Sequence, residues 1–142
     1  MKNIIRVKKI SGSKELEQAF RIRMRVFVKE QGVAEDIELD ADDRRAIHLL
    51  AFAGGRAVGT ARVVTRRDRA KIGRMAVLKN YRGKGIGRKL LSRAIATARK
   101  HGARQIYLHA QVAVIGFYES MGFHCAGSIF DEAGIPHRKM IL

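Results

Sequence analysis

The spacing of apolar residues along this chain predicts a strand and then a helix in its N-terminal part. Residues 4–10 carry apolar side chains at strand spacing and end at a Ser-Gly-Ser turn. Over residues 13–30, Leu16, Phe20 and Phe27 recur at helical intervals, so one face of this segment is apolar. We therefore expect a β-strand followed directly by an amphipathic helix.

Three strands are predicted next, after an acidic and aperiodic segment over residues 33–45 that we interpret as a loop with one short helical turn. Short runs rich in apolar and β-branched residues are typical of strands, and Gly54 and Gly55 form a turn between the first two. The three strands are His48–Ala53, Arg56–Arg66 and Ala70–Leu78. Their close spacing predicts an antiparallel meander.

The C-terminal half predicts helices and strands in alternation. Apolar residues recur on one face of Arg88–His101, which predicts a long amphipathic helix. The remaining elements are a strand over Gln105–Ala110, a short helix over Val112–Met121, and strands over Phe123–Asp131 and His137–Leu142. This order favours an α/β fold in which about six to seven strands form one central, twisted, mixed sheet flanked by about four helices.

The composition fits one globular domain over residues 1–142. Hydrophobic residues make up 46% and charged residues 30% of the chain, which is typical of a soluble domain. The apolar runs are too short to span a bilayer, and Met1–Val7 lacks the apolar core of a signal peptide. The single cysteine, Cys125, excludes an intramolecular disulfide and is interpreted as a packed strand residue. We therefore expect a cytoplasmic protein without a membrane partner.

The net charge points to an anionic partner. Lys and Arg total 29 against 13 Asp and Glu, which gives a formal charge of +16. A field of this sign attracts nucleic acid, a phosphorylated cofactor or an acidic substrate. Seven of the 13 acidic residues lie within residues 30–43, so this segment is a local exception. The chain has no Cys-rich zinc motif, and no metal is expected.

A glycine-rich loop between a strand and a helix is the strongest candidate for an anion site. It reads Arg82-Gly83-Lys84-Gly85-Ile86-Gly87. Glycines let the backbone approach a ligand closely, and the start of the next helix presents unpaired N–H groups with partial positive charge. The Walker A string G-x-x-x-x-G-K-[ST] is absent, and the glycine spacing differs from the dinucleotide-binding G-x-G-x-x-G. These residues alone leave open whether the loop binds a phosphate or only connects two elements.

The same loop resembles the acetyl-coenzyme A motif of the GNAT superfamily of N-acyltransferases. That motif reads [QR]-x-x-G-x-[GA] and opens a helix, and Arg82, Gly85 and Gly87 fill its fixed positions. A second segment, Gly116–Phe123, is similar to the F-Y-x-x-x-G-F end of a helix in the family. The chain is thus identified as resembling GNAT proteins, whose fold has the element order predicted above.

Two further segments resemble the ElaA/YjcF-like subgroup of this superfamily. The first is Arg25–Val33, followed by Glu38, Asp40, Asp43 and His48. The second is Gly134–His137. With these segments the resemblance spans nearly the whole chain. It implies an N-acetyltransferase that uses acetyl-coenzyme A as cosubstrate.

The resemblance also implies where the cofactor binds. In the family, the strand before the loop splays from its neighbour and pairs through its free backbone with the pantetheine arm; that strand end here is Met75–Val77. The pyrophosphate would lie on N–H groups of the loop, and an N–H near Val77 would steady the acyl oxygen. The implied cofactor-binding residues are Met75, Ala76, Val77, Arg82, Gly83, Lys84, Gly85, Ile86, Gly87 and Arg88.

Tyr118 is the general acid that the resemblance implies. It occupies the tyrosine position of the F-Y-x-x-x-G-F match and would protonate the departing thiolate. Spacing alone favours a core aromatic beside Val114 and Met121, and the motif match reverses this interpretation. Gln111 stands near a position where relatives often have Asn, and it is a weaker candidate for contact with cofactor or acceptor.

The general base is not assigned by the resemblance. Many family members carry a Glu on the strand before the loop, but here that strand offers only Lys71 and Arg74 as charged side chains. The candidates are Glu30, Glu38, Asp40, Asp43, His48, His109 and His137. Glu38 and His48 come first because the subgroup resemblance places them beside the acceptor cleft. A solvated acidic loop and a structural histidine are the alternatives.

The sequence therefore predicts direct transfer of an acetyl group from acetyl-coenzyme A to a primary amine of a small molecule or peptide. Holding both reactants together supplies much of the rate in such a ternary complex. A basic nucleic-acid-binding module and a catalytically idle, regulatory coenzyme A-binding protein are the alternatives, and an acyl-homoserine-lactone synthase is a weaker one. A homodimer is left open as an assembly.

Overall fold

The structure is a computed structural model that describes residues 4–142. Residues 1–3, the first three of the predicted domain and of the segment tested for a signal peptide, lie outside the described residues. The four α-helices are α1 (Ser13–Arg23), α2 (Glu35–Glu38), α3 (Ile86–Lys100) and α4 (Ile115–Ser120). The strands are β1 (Ile5–Lys9), β2 (Ile47–Ala53), β3 (Arg56–Arg66), β4 (Arg69–Val77), β5 (Gln105–Gln111), β6 (His124–Cys125), β7 (Phe130–Glu132) and β8 (Ile135–Ile141).

Over residues 4–142 the eight strands form one mixed sheet in the order β1-β2-β3-β4-β5-β8-β6, and β7 also pairs with β8. Strands β1 to β4 are antiparallel neighbours, which includes the predicted meander. Strands β4 and β5 are parallel, as expected for two strands joined by the crossover helix α3. The predicted class, a mixed α/β sheet flanked by helices, is confirmed.

The sheet buries apolar side chains on both faces. On one face, Leu90, Leu91 and Ala94 of α3 pack into a core that includes Leu108 and Met140. On the other face, α1 packs on β2, β3 and β4 and buries a second cluster, formed by Ala19, Ile22, Val26, Leu50, Phe52 and Ala76. Because side chains alternate along a strand, successive residues of β5 belong to opposite faces.

The predicted strand over Phe123–Asp131 is wrong as a single element. The chain forms β6, leaves the sheet, and returns as β7, so β8 has two short partners along its outer edge. Gly127 has φ of 90°, which a strand does not allow, and its carbonyl oxygen accepts hydrogen bonds from the Arg138 guanidinium at 2.7 and 3.1 Å. This interruption is why the sheet has eight strands rather than six or seven.

The first helix changes geometry within its predicted range. After α1 the chain continues as a π-helix over Met24–Glu30, so the helical segment extends as far as predicted but with wider turns. The acidic segment that follows holds α2 and a 3₁₀ turn over Ala41–Arg44 and is otherwise irregular. Wide helical turns are frequent next to functional sites, and here they bring Val26 and Phe27 to a cleft.

Candidate active site

The candidate site is a cleft where β4 and β5 separate. The two strands pair from Arg69 and Gln105 up to Ile72 and Leu108, and beyond this point β4 pairs only with β3 while β5 pairs only with β8. The cleft has a volume of about 550 Å³. Its walls come from the π-helix, the acidic segment, β3, β4, β5, α4 and the β7–β8 hairpin.

The separation leaves backbone groups of β4 without strand partners. The N–H of Leu78 donates to the carbonyl oxygen of Val58 on β3. Because the direction of hydrogen bonding alternates along a regular strand, Ala76 also faces β3, whereas the N–H of Val77 is directed away from β3. The carbonyl oxygen of Val77 accepts a hydrogen bond from Arg82. The splayed strand end that the resemblance implies is therefore present at Met75–Val77.

A bulge in β4 widens the opening. Gly73 lies opposite Arg62 and Ala76 lies opposite Thr60, so β4 has one residue more than β3 across this interval. Arg74 lies within this bulge and has a positive φ of 47°. Bulges of this kind redirect side chains next to binding sites, and this one brings the Arg74 guanidinium to the acidic segment.

The glycine-rich loop ends at a helix N-terminus that is open to an anion. Gly83 and Gly85 have φ of 75° and 81°, and Gly85 is the residue just before α3. The first intrahelical bond runs from the N–H of Lys89 to the carbonyl of Gly85, so the N–H groups before Lys89 have no partner within the helix. Gly87 differs, because it lies inside the helix and a Cβ there would be 3.6 Å from Phe117 Cζ, an ordinary contact.

Arg82 is held by the protein rather than left free for a phosphate. Its Nε donates to the carbonyl oxygen of Val77 at 2.9 Å, and its Nη2 lies 3.0 Å from Glu30 Oε1. It thus connects the end of β4 to the end of the π-helix. Lys84 and Arg88 contact instead the Tyr81 ring and the Ser120 hydroxyl.

Tyr118 lies on α4 and lines the cleft. Its ring makes edge contacts with Phe117 and Phe123 and packs against the core beneath α3. Burial raises the pKa of Tyr118 to about 12, so its hydroxyl keeps its proton at neutral pH. Tyr118 is therefore a packed aromatic residue, the alternative that the spacing allowed, and it lines the cleft with a protonated hydroxyl that is able to donate a hydrogen bond.

Glu38 also lines the cleft, but its carboxylate is fully paired. It is 2% exposed, its Oε1 accepts from Arg23 Nε at 2.7 Å, and its Oε2 lies 3.4 Å from Arg74 Nε. Asp40 and Asp43 are paired in the same way with Arg62, and Asp43 also with Arg23. Burial opposes ionisation of Asp43, but its hydrogen bonds to Arg23, Asp40 and Arg62 lower its pKa to about 2. The acidic segment is thus part of a buried ion network rather than a solvated loop.

His48 does not reach the cleft. Its Nε2 lies 2.9 Å from the backbone oxygen of Asp43, and its ring packs edge-on against Phe20. Since a carbonyl oxygen only accepts, Nε2 carries the proton and holds the acidic segment to β2. The structure therefore brings two of the three predicted catalytic residues, Tyr118 and Glu38, to the cleft and leaves the third outside it.

A carboxylate that the sequence reasoning missed lies across the cleft from this network. Glu132 Oε1 is 3.0 Å from His109 Nδ1, and Glu132 Oε2 is 3.6 Å from His137 Nε2. The hydrogen bond from His109, together with the positive charge of Lys71, lowers the pKa of Glu132 to about 2. The signal was available, because a two-residue Ala133-Gly134 turn places Glu132 diagonally opposite His137 on one face of the hairpin.

A pair of amides spans the mouth of the cleft. Gln31 and Gln111 each donate to the other, at 3.3 and 2.9 Å, and so connect the end of the π-helix to the end of β5. Gln111 lines the cleft, and its contact with cofactor or acceptor stays a prediction. Among residues 4–142, no cluster of His, Cys, Asp and Glu side chains has the arrangement of a metal site, and no helix is long and apolar enough to cross a membrane.

Comparison with known proteins gives a consistent result over nearly the whole chain. The family model described as acetyltransferase (GNAT) domain matches residues 10–142. The uncharacterised N-acetyltransferase YjcF of Bacillus subtilis is 33% identical over 89% of this chain and 91% of its own length. Protein ElaA of Escherichia coli is also 33% identical, over 89% of this chain and 86% of its own length.

Solved structures agree with these sequence matches. The crystal structure of Escherichia coli ElaA superposes with a TM-score of 0.86 at 28% identity and covers 97% of this chain and 99% of its own. An acyl-CoA N-acyltransferase from Pseudomonas aeruginosa gives a TM-score of 0.79 at 27% identity, covering 98% of both chains. These matches do not favour the nucleic-acid-binding alternative.

Proposed function

Because the chain belongs to the acetyltransferase (GNAT) domain family and is an N-acetyltransferase, we propose that it transfers an acetyl group from acetyl-coenzyme A directly to a primary amine in the cleft between β4 and β5. The acceptor is a small molecule or a peptide. The observation that carries this proposal is the separation of β4 and β5 beyond Ile72 and Leu108, next to the start of α3. The separation exposes an extended strand edge close to an anion site, so one ligand can contact both.

The residues of the cleft fit the two polar parts of the cosubstrate. Met75 and Val77 are the strand-edge residues that face the pantetheine arm, and Val77 offers its N–H, because its carbonyl oxygen is held by Arg82. The N–H groups of Ile86, Gly87 and Arg88, at the positive end of α3, receive the pyrophosphate. Ala76 is assigned to the same strand edge. The loop that precedes the anion site consists of Arg82, Gly83, Lys84 and Gly85.

Tyr118 stabilises the leaving group. The thioester supplies the acetyl group and a sulfur leaving group, which departs with negative charge. A free thiol has a pKa near 8.5, well below that of Tyr118, so complete transfer of the phenolic proton to sulfur is uphill. The hydroxyl therefore acts chiefly by donating a hydrogen bond as charge develops on sulfur. The predicted general acid becomes, in this refinement, a fixed hydrogen-bond donor.

Glu38 shapes the acceptor side of the cleft rather than taking a proton. Its carboxylate holds Arg23 and Arg74 in place, and Arg74 belongs to the bulge that widens the opening. His48 has the corresponding role at the base of the acidic segment. Both predicted catalytic residues are thus proposed as positioning residues.

Two measurements on the full chain test the function. Calorimetry with coenzyme A is expected to show binding, and mass spectrometry of a pool of primary amines incubated with acetyl-coenzyme A is expected to show an acetylated product. Tyr118→Phe is expected to lower the single-turnover rate about 10²–10³-fold, as when one fixed donor is removed from an oxyanion site. Its coenzyme A affinity should change little, because the hydroxyl acts on charge that develops during the reaction.

The control for Tyr118→Phe is Tyr81→Phe, which removes a hydroxyl from a residue outside the cleft lining and keeps the ring that lies near Arg56 and Lys84. It is expected to keep the wild-type rate. Absence of coenzyme A binding would overturn the proposed function, and a full single-turnover rate in Tyr118→Phe would remove Tyr118 from the mechanism.

A further inference from the structure

The reaction needs a group that takes the proton of the acceptor amine, and most carboxylates near the cleft are committed elsewhere. Glu38, Asp40 and Asp43 are paired with buried guanidinium groups, and Glu30 is paired with Arg82. A carboxylate held by a cation is a weak base, because protonation would forfeit the ion pair. Asp42 also lines the cleft and is not among these ion pairs, so the choice of proton acceptor rests on the geometry of the opposite wall, which is formed by β5 and the β7–β8 hairpin.

His109 on that wall has one nitrogen fixed and one available. Its Nδ1 lies 3.0 Å from Glu132 Oε1, and an ionised carboxylate only accepts, so Nδ1 carries the proton. In the neutral ring Nε2 then bears the lone pair. Within residues 4–142, Nε2 of His109 has no hydrogen-bond partner. His137 is different, since its Nδ1 is used by the carbonyl of Ile135 and its Nε2 faces Glu132.

The position of His109 is the second observation. It is the first residue of β5 beyond Leu108, where the strands separate, and it lines the cleft. The anion site at α3 follows the C-terminal end of β4, so a cosubstrate lying along Met75–Val77 extends from that site back toward the point of separation. The thioester is thereby directed to the region that His109 borders.

Tyr118 and His109 reach the cleft from opposite faces of the sheet. Tyr118 packs with the core beneath α3, which also contains Leu108 and Ala110. His109 lies between those two residues in sequence, so its side chain belongs to the other face, where it contacts the Phe130 ring. A donor for sulfur and an acceptor for the amine proton are thus placed on the two sides of one opening.

We propose that Nε2 of His109 is the general base for the acceptor amine and that Glu132 positions it, an assignment that rests on the proposed acetyl transfer. The free amine nitrogen forms a bond to the acetyl carbon, and Nε2 takes a proton from that nitrogen as it becomes positively charged. The carbon–sulfur bond breaks, and sulfur leaves with the electron pair as a thiolate facing Tyr118. The resulting imidazolium is stabilised by Glu132, which is ionised throughout the neutral range.

The charges around His109 come from several elements. Glu132 on β7 is the negative one, and Lys71 on β4, Lys139 and His137 on β8 and Tyr107 on β5 are the other titratable groups that face it. Lys139 stands directly opposite His109 in the β5–β8 ladder. A pH dependence of the reaction therefore reports this group of residues, and Glu132 is the member that contacts the ring.

The first test compares His109→Gln with His101→Gln in single-turnover acetylation of the amine that gives most product in the pool. His101 lies at the exposed end of α3, and its replacement is expected to leave the rate unchanged. His109→Gln is expected to lose about 10²–10⁴-fold, the usual contribution of a positioned base. Coenzyme A affinity should be retained in both variants. A His109→Gln protein with the wild-type rate would overturn the assignment.

The second test separates a positioning role of Glu132 from a structural one. In Glu132→Gln the amide no longer stabilises the imidazolium, so the acidic limb of the pH–rate profile is expected to move to lower pH and the plateau rate to fall. An unchanged limb would show that Glu132 only supports the hairpin and would overturn its part of the proposal. Nitrogen NMR of the free protein is expected to show the Nδ1–H form of His109 in the wild type and a mixture in Glu132→Gln.

These outcomes also separate the assignment of His109 as general base from the proposed acetyl transfer on which it rests. A wild-type protein that binds coenzyme A but acetylates no amine would contradict the proposed function, and the base assignment would fall with it. A wild-type protein that acetylates an amine, with a His109→Gln variant that does so equally well, would overturn the base assignment alone. The NMR result is read without any acceptor.

Discussion

The acidic segment lines the cleft and the glycine-rich loop reaches it through Arg82, but the two regions differ in how their charges are paired. In the acidic segment, the carboxylates of Glu38, Asp40 and Asp43 are each within 4 Å of a guanidinium group, and the network is largely buried. At the start of α3, Lys84 and Arg88 have no carboxylate within that distance among residues 4–142, and both are exposed. The charges of the acidic segment are paired within the protein, whereas the cations at the start of α3 are available to a ligand.

This contrast explains why the net charge alone did not select one anionic partner. The formal charge of +16 suggested nucleic acid, a phosphorylated cofactor or an acidic substrate, but part of the arginine content is neutralised inside the protein. What matters for a phosphate is the small set of cations and backbone N–H groups at one helix start. The three predictions below test the contrast, beginning with the largest expected effect.

Removing one carboxylate from the buried network should cost the most. Glu38→Ala leaves the buried Arg23 with Asp43 but without Glu38, and breaking a buried ion pair in this way costs up to about 3–5 kcal/mol in the free energy of unfolding. Urea denaturation measures this loss. Glu35→Ala, an exposed acidic residue on the same short helix α2, serves as the matched control and should change the free energy by less than about 0.5 kcal/mol. Equal effects of the two variants would show that the network does not hold the segment.

The loop should respond through its backbone rather than through its charge. Gly85→Ala places a side chain at φ of 81°, which costs about 1–2 kcal/mol. Gly87→Ala lies within α3 at ordinary contact distance from Phe117, and it should gain up to about 1 kcal/mol from helix propensity. Thermal unfolding measures both. The acetyl-coenzyme A motif allows alanine at the Gly87 position but only glycine at the Gly85 position, so calorimetry is expected to show weaker coenzyme A binding for Gly85→Ala and near-wild-type binding for Gly87→Ala. Unchanged affinity in Gly85→Ala would remove the loop from the binding site.

Acid should lower the stability of the ion network around Asp43 before it affects the glycine-rich loop. The pKa of Asp43 falls from 3.8 to about 2 on folding, so its ion pairs stabilise the protein above about pH 4 and this contribution is lost as the pH falls toward 2. The free energy of unfolding, compared between pH 6 and pH 3, is expected to drop less in Asp43→Asn than in the wild type. A drop of the same size in both proteins would contradict this origin of the acid sensitivity.

Much of the fold could be predicted because its signals are local. The apolar periodicity of α3 and the meander of β2 to β4 were recognised from spacing alone, and their observed bounds differ by at most about two residues. The break between β6 and β7 was not recognised, because Gly127 and Arg138 interrupt the strand through a contact between residues distant in sequence. The pattern of apolar residues over 123–131 does not reveal this break, because it is equally compatible with one continuous strand.

The site was predictable where a motif fixes position and not where charges pair across the fold. The loop and Tyr118 follow the resemblance, and both border the cleft. Glu38 and His48 were chosen because the subgroup resemblance placed them beside the acceptor cleft, but their partners, Arg23 and the backbone of Asp43, are set by tertiary contacts. Glu132 was overlooked because its importance comes from His109, which is 23 positions away and on a different strand.

The short parallel pairing of β4 and β5 has a consequence for how the protein folds. Only four residue pairs connect the two halves of the sheet there, and they can form only after α3 has crossed over. Contacts that close long loops are costly and tend to form late, whereas the β2–β4 meander is local. A ligand that spans this junction stabilises contacts absent from the folding transition state, so bound coenzyme A is expected to slow unfolding while leaving the rate of folding nearly unchanged.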